Sequence, residues 1–329
     1  MLAFSTLAKH AFVDQRLTAT EPGALDRVLR DAHPGASWND VRRLVESGKV
    51  RVNDALELDP TRRVDAGANI EIRLASPRPR GSAAKPRIVF ADAHVVVVEK
   101  PGGISTVPYD ERERNTLVDV TRNLLERRES RRAAPLGVVQ RLDKETSGLV
   151  VFARTLPAKR TLKNQFRAHS VHRRYDALVH GDTTDARYES RLVKDRGDGL
   201  SGSTDNPKLG RVAITFVTVV ARLDGATHVE CRLETGRTHQ IRIHLSEAGH
   251  PLLGERVYVR GYDAPLIPAP RLMLHARELG FVHPSTGRPM RFTQPPPDDM
   301  RALIERLTSS AGSRSPSPRD TSRRRSAPR

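Results

Sequence analysis

The chain has 329 residues, enough for two domains with flexible ends and for a sizeable core. Its 56 Lys and Arg against 39 Asp and Glu give a formal charge of +17, which points to a polyanionic partner, nucleic acid first. The single cysteine, Cys231, excludes an intramolecular disulfide and a cysteine zinc site, and no stretch approaches the ~18 consecutive apolar residues of a membrane span. Lys9, His10, Asp14 and Arg16 soon interrupt Met1 to Ala8, so no secretory signal is expected. The expected location is cytoplasmic, with no membrane contact.

Residues 1–20 read as a flexible extension. Leu25, Val28 and Leu29 then share one face of a short helix. Ser37-Trp38-Asn39-Asp40 caps a second helix with Val41, Leu44 and Val45 on its apolar side, and Gly48 stops it. Lys49 to Asn53 and Ile70 to Leu74 alternate with the period of half-buried strands, and Asn53-Asp54 marks a turn between them. Arg27, Arg30, Arg42, Arg43, Lys49 and Arg51 avoid the apolar positions and are expected to form a basic face on a small α+β module over 21–75. The stretch 76–87, rich in Pro and basic residues, reads as a linker. Residues 309–329, almost devoid of apolar side chains, read as a disordered basic tail.

A second domain is expected over 88–308. Ile88 to Phe90 and His94 to Val98 look like strands, Thr116 to Arg128 and Leu156 to Phe166 like helices, and Val212 to Val220 and Thr227 to Leu233 like alternating strands. Asp182 to Gly210, polar and Gly-rich, reads as a long loop. At the centre stands Gln140 to Arg154, a polar run ending in a Thr-Ser-Gly turn before the apolar strand Leu149 to Ala153. Asp143 therefore sits on a loop braced by a core strand. Arg141 and Lys144 flank it, and nearby cations favour the charged form of a carboxylate that could serve as nucleophile or base. The pattern alone also fits a surface salt-bridge loop.

The wording of the motifs decides between these readings. Arg141-Leu142-Asp143-Lys144-Glu145-Thr146-Ser147-Gly148 closely resembles the signature of RluA-type pseudouridine synthases, with Gln140 where that family usually has His. Glu99-Lys100-Pro101-Gly102-Gly103-Ile104 is similar to the segment that opens the family's catalytic domain, with Glu99 in place of Asn. The run around Tyr175, Arg174-Tyr175-Asp176-Ala177-Leu178-Val179-His180-Gly181, resembles the second family motif. Thr235-Gly236-Arg237-Thr238-His239-Gln240-Ile241-Arg242-Ile243-His244 resembles the third, and Leu274-His275-Ala276 with Phe281-Val282-His283-Pro284 resembles the closing strands. Gly23 to Leu74 is similar to the S-four type RNA-binding domain named after a small-subunit ribosomal protein.

The resemblance implies an α+β fold: a pseudouridine synthase catalytic domain with a mainly antiparallel mixed sheet, preceded by a small α+β RNA-binding domain. It implies isomerisation of uridine to pseudouridine in RNA, without metal or cofactor. Asp143 would be the catalytic carboxylate, Arg242 its partner cation and Tyr175 the ring facing the target base, with a part in removing the proton at carbon 5. Ile241 would pack below the base, and Arg141 would fill the gap left by the extruded nucleotide. Ribosomal RNA of the large subunit is the favoured substrate, transfer RNA the second, and a monomer is expected. The departures at Gln140 and Glu99 motivate an alternative, a catalytically silent RNA-binding or ribosome-assembly protein. A metal site on His239, His244, His250 and His275 is not expected, since Gln240 stands where the helical zinc signature needs Glu. Ser147 lacks the elbow glycines of a serine nucleophile.

Overall fold

A computed structural model describes residues 12–57, 60, 62–76, 84–108, 113–196, 200–259 and 261–312. The chain divides into two compact units, Met1–Ala83 and Ala84–Arg329.

The first unit runs β1 (Gln15–Thr18), β2 (Gly23–Ala24), α1 (Leu25–Ala32), α2 (Trp38–Glu46), β3 (Val50–Val52), β4 (Ala55–Glu57), β5 (Arg63–Val64) and β6 (Asn69–Ile72). Ser37 caps α2 through a reciprocal box with Asp40, which satisfies donors the first turn leaves unpaired. Gly48 ends the helix at φ 73°, a conformation that suits glycine. Asn53 and Asp54 both adopt positive φ, the geometry of a tight hairpin turn, and join β3 to β4. Leu25, Leu29, Val41, Leu44 and Val45 from the helices close over Val50, Val52, Ile70 and Ile72 of the sheet, whose order is β1-β6-β3-β4.

The expected flexible extension 1–20 is therefore too long. Gln15–Thr18 pairs antiparallel with β6, and the Asp14 carboxylate accepts from the Leu74 amide at 2.6 Å. A short edge strand with Arg16 facing outward carries too little apolar periodicity to show in sequence. Residues 1–11 lie outside the described residues, as do 77–83 of the expected linker and 313–329 of the expected tail.

The second unit runs β7 (Arg87–Ala91), β8 (Val95–Lys100), α3 (Leu117–Glu129), β9 (Gly137–Val138), β10 (Ser147–Ala153), α4 (Leu156–Arg167), β11 (His172–His180), β12 (Ala186–Val193), β13 (Gly202–Thr204), β14 (Arg211–Leu223), β15 (Ala226–Leu233), α5 (Gln240–Glu247), β16 (Leu274–Val282), β17 (Pro289–Thr293) and α6 (Asp298–Gly312). Among the described residues the strands form one sheet in the order β13-β12-β14-β15-β11-β16-β10-β8-β7, with β9 on β10 and β17 on β16. Its pairings are antiparallel except β10 with β16, so the sheet is mixed and mainly antiparallel.

Burial on both faces explains why β8 and β10 read as unbroken apolar runs. Val95, Val97, Leu149 and Val151 pack with Ala158 and Leu162 of α4 on one side. Val96, Val98, Val150 and Phe152 pack with Leu117 and Leu125 of α3 on the other. Gly148 lets β10 and β16 approach: at φ 118° its Cβ position would collide with the backbone of Ala276.

Three expectations for this unit are corrected. The polar stretch 182–210 is not a loop throughout, because β12 and β13 lie within it and β12 pairs along its length with β14. Its exposed strand face is polar, which hides the alternation. The closing motifs form one strand, β16, rather than two. The domain also runs past 308: Met300, Leu303 and Leu307 of α6 bury against Leu178 and Leu223, so Ser309–Gly312 is helical rather than part of a tail.

Candidate active site

Asp143 lies on the loop entering β10, and that loop is tied down on both sides. The Thr106 hydroxyl donates to the Leu142 carbonyl at 2.8 Å and accepts from the Leu142 amide at 3.1 Å. The fully buried Lys100 ammonium donates to the carbonyls of Lys144 and Thr146 at 2.7 Å each and to that of Pro101 at 3.0 Å. The Gly103 amide donates to the Lys144 carbonyl at 2.8 Å, and Arg271 reaches the Glu145 carbonyl at 3.4 Å. A side chain at Gly102 would meet Arg271 Cδ at 2.7 Å and the Glu145 carbonyl at 3.0 Å, so the Lys-Pro-Gly segment fits beneath the loop only as glycine. Each such hydrogen bond contributes about 1 kcal/mol, and together they fix the backbone on either side of Asp143.

The opposing wall is α5. Gln240 anchors its first turn with a saturated buried amide: its oxygen accepts from the Thr235 hydroxyl and the Arg237 amide, and its nitrogen donates to the Ile214 carbonyl and the Thr215 hydroxyl, all at 2.8–3.0 Å. This aims Arg242 at the loop, where Nη1 stands 3.5 Å from Asp143 Oδ2. The other edge of the guanidinium meets Glu255 twice, Nε to Oε2 and Nη2 to Oε1, both at 2.7 Å. Burial opposes charge on both partners, yet their mutual hydrogen bonds and attraction prevail: the Glu255 carboxyl falls below its ordinary range and the Arg242 guanidinium rises above its own.

His239 precedes α5 in a left-handed conformation, φ 54°. Its Nδ1 is 2.7 Å from the Tyr258 hydroxyl, and Nε2 is 3.8 Å from Asp143 Oδ1. Burial lowers the His239 pKa, Asp143 pulls it back and Arg242 lowers it again, which favours the neutral ring. The Arg242 guanidinium also lies over the Tyr258 ring, 5.2 Å from its centroid.

Tyr175, on β11, is 8 % exposed and shares an apolar cluster with Ile241 of α5, with Leu142 packed against it. Burial raises the Tyr175 phenol above its ordinary value, Arg173 offsets part of the rise and the Asp143 charge adds to it. The ring is thus a neutral, mostly buried face near the carboxylate. Arg141 is exposed, and its side chain makes no hydrogen bond or ion pair among the described residues. Asp143, Arg242, Tyr175 and Ile241 are therefore gathered at one place, with Arg141 on the same loop.

The departures from the family pattern are local. Gln140 Nε2 is buried without a hydrogen-bond partner among the described residues, and Glu99 forms an ion pair with Arg87 at 2.9 Å. The histidines in the third motif and beyond are dispersed: His244 bonds Ser190 and Thr215, His250 the His180 carbonyl, and His275 Ser147. Among the described residues no group of His, Cys, Asp and Glu is arranged to hold a metal ion. Lys100, Thr106 and Glu255 were missed as site residues by sequence reasoning. Only Gly254, just before Glu255, signals a special position, since its Cβ would collide with the Arg271 carbonyl.

In the first unit, the basic residues do not share one face. Arg30 and Arg42 flank the exposed Trp38, with their guanidinium carbons 5.2 and 5.9 Å from its ring centroid, and Arg42 also pairs with Asp26 at 3.0 Å. Arg27 pairs loosely with Asp31 at 3.9 Å, and Arg43 is exposed on α2. Arg51 alternates with the core residues Val50 and Val52, so it points away from the helices, and Lys49 donates to the Ser76 carbonyl. Arg30 and Arg42 thus gather around Trp38, while Arg51 lies on the other side of the sheet.

The family profile described as RNA pseudouridylate synthase matches residues 94–247, which include Asp143, Tyr175 and Arg242. The chain is 35 % identical over 298 residues to ribosomal large subunit pseudouridine synthase D of Zymomonas mobilis, covering 86 % of this chain and 93 % of that protein. It is 34 % identical over 327 residues to the protein of the same name from Neisseria meningitidis, covering 94 % of this chain and 86 % of the other. The human RNA pseudouridylate synthase domain containing 4 shares the fold, with a TM-score of 0.56 at 24 % identity over 67 % of this chain and 92 % of the human one. Among the described residues no helix is long and apolar enough to cross a membrane. With these relatives aligned over most of its length, the chain belongs to the RNA pseudouridylate synthase family.

Proposed function

We propose that this protein isomerises uridine to pseudouridine in large-subunit ribosomal RNA, with Asp143 as its catalytic carboxylate. The observation that carries the assignment is the Asp143–Arg242 pair, set at the rim of the apolar cluster that contains Tyr175 and Ile241. The reaction breaks the bond from ribose to ring nitrogen and forms one from ribose to ring carbon 5, with no net redox change. Asp143 acts as nucleophile or base, and Arg242 balances its charge in a half-buried site, where the attraction is stronger than in bulk water. The Tyr175 ring stacks on the extruded uracil above Ile241. Its raised phenol pKa supports stacking and weighs against a phenolate that takes the carbon 5 proton at neutral pH. Arg141, exposed and without a hydrogen-bond or ion-pair partner among the described residues, fills the gap in the RNA stack, as a planar guanidinium suits.

The choice of ribosomal RNA rests on the names of the bacterial relatives. The first unit acts as the RNA-binding module, with the arginines around Trp38 contacting phosphates. The protein works as a monomer in the cytoplasm. Tritium release from RNA labelled at uridine carbon 5, compared between the wild type and Asp143→Asn on ribosomal and transfer RNA, tests the assignment. Release by the wild type alone, from ribosomal RNA, is expected. Tight RNA binding by both proteins with no release from either would favour a silent binding module instead.

A further inference from the structure

The proposed chemistry needs Arg242 beside Asp143, yet the closest contacts of this guanidinium are with another carboxylate. Its Nε and Nη2 edge is engaged by Glu255 in a two-pronged pair at 2.7 Å, and only Nη1 remains for Asp143 at 3.5 Å. The Glu255 side chain is fully buried. Its Oε1 also accepts the amides of Arg256 and Val257 at 2.9 Å each, so this carboxylate is fixed by backbone before it meets the arginine. The same short segment supplies Tyr258, whose ring lies against the guanidinium and whose hydroxyl holds His239.

We infer that Glu255 is a positioning residue of the active site: it clamps one edge of Arg242 so that Nη1 alone is presented to Asp143. The inference rests on the roles assigned above to Asp143 and Arg242 and adds the device that sets their geometry. A planar guanidinium has two edges and five N–H donors, so it can be locked by one carboxylate while serving another. Lysine, a single point of charge on a flexible stem, cannot be divided in this way. Two carboxylates share one cation here, and the neutral His239 adds no further positive charge. Arg242 is thereby held at a fixed distance rather than free to collapse into a tight two-pronged pair with Asp143, which would occupy both carboxylate oxygens and leave neither free to react.

The test compares Glu255→Gln, Glu255→Asp, Arg242→Lys and the double variant Glu255→Gln/Arg242→Lys with the wild type and Asp143→Asn, by steady-state tritium release and by thermal unfolding. Loss of a supporting group behind a functional side chain costs roughly 10- to 100-fold in activity. That fall is expected in kcat for Glu255→Gln, with KM changed by no more than about twofold. Glu255→Asp, which keeps the charge, should recover part of the loss. Because both side chains act through one guanidinium, the double variant should be no slower than Arg242→Lys alone. Wild-type kcat in Glu255→Gln, while Asp143→Asn is inactive and Arg242→Lys is slow, would overturn the inference and leave the assigned activity standing. Multiplicative losses in the double variant would overturn it too. A readout independent of turnover is hydrogen exchange at Arg242 Nε–H: slow in the wild type and about tenfold faster or more in Glu255→Gln. Equal rates in both would show that Glu255 does not hold the edge.

Discussion

Replacing Lys100 by Met preserves the length of a fully buried side chain and removes the ammonium beneath the Asp143 loop. The carbonyls of Pro101 and Thr146 lose their donor, at a cost of about 1 kcal/mol or more each, and that of Lys144 loses one of two, keeping the Gly103 amide. Against that, burial pushes the Lys100 ammonium down to about 7, although Glu145 and Asp143 pull the other way. The interval from 10.5 corresponds to about 5 kcal/mol of disfavoured protonation, which the Met variant escapes. The two effects oppose each other, so stability at pH 7 should change by no more than about 2 kcal/mol, while release of the loop lowers kcat at least about tenfold, a cost of ~1.4 kcal/mol in the barrier. Between pH 7 and 10.5 the unfolded chain keeps the proton that native Lys100 has lost, so the wild type gains stability as pH rises, by up to ~1.4 kcal/mol per pH unit, and the variant gains nothing at this position. Below pH 7 the group contributes no slope. Urea unfolding of both proteins at pH 7, 8 and 9 reads this directly: the stability of the wild type relative to the variant should climb with pH. A difference independent of pH would mean that the three carbonyls keep Lys100 charged in the fold, refuting the dominance of burial. An unchanged kcat would refute the view that this ammonium holds the loop.

Gly148→Ala forces a Cβ into the Ala276 backbone at a left-handed φ, and calorimetry should show destabilisation of at least about 3 kcal/mol, with loss of activity. Arg141→Ala should lower turnover on structured ribosomal RNA far more than on an unstructured oligonucleotide, since extruding a stacked base costs a few kcal/mol; equal rates on both RNAs would sink the wedge role. Tyr175→Phe retains the stacking face and should keep kcat within about tenfold of wild type, whereas Tyr175→Leu should lose ~1–3 kcal/mol of base stacking, seen as a larger fall in tritium release. Burial raises the Cys231 thiol well above its ordinary value, so a thiol reagent at pH 8 should modify the native protein no faster than it unfolds, and rapid labelling would contradict the core packing of β15.

What the sequence made legible was what repeats or what must be written in a fixed order. The run Leu149 to Ala153 showed its strand because both faces are buried, and Ser37 with Asp40 showed its helix because a capping box needs those two residues at that spacing. The meeting of Asp143, Tyr175, Arg242 and Ile241 could be anticipated because each sits in a motif whose neighbours serve the same loop or helix: Gly148 for the β16 approach, Gln240 for the saturated first turn of α5. Glu255 and Thr106 could not be seen in this way. Each acts through a contact more than ten residues distant in sequence, and nothing beside it has to be apolar, periodic or left-handed except Gly254. Lys100 was visible only as part of a Lys-Pro-Gly turn, because a lysine that satisfies three carbonyls looks, in sequence, like one that points into water. The basic face failed for a related reason. Charge pattern distinguishes outward from inward positions but not one outward side from the other, and Arg51 leaves β3 on the side opposite α1 and α2. The core is thus encoded locally, by period and turn chemistry, whereas the electrostatics of the site arise from side chains that meet only after folding. Substitutions at Glu255 or Lys100 should accordingly leave the secondary structure intact and still alter the chemistry of Asp143.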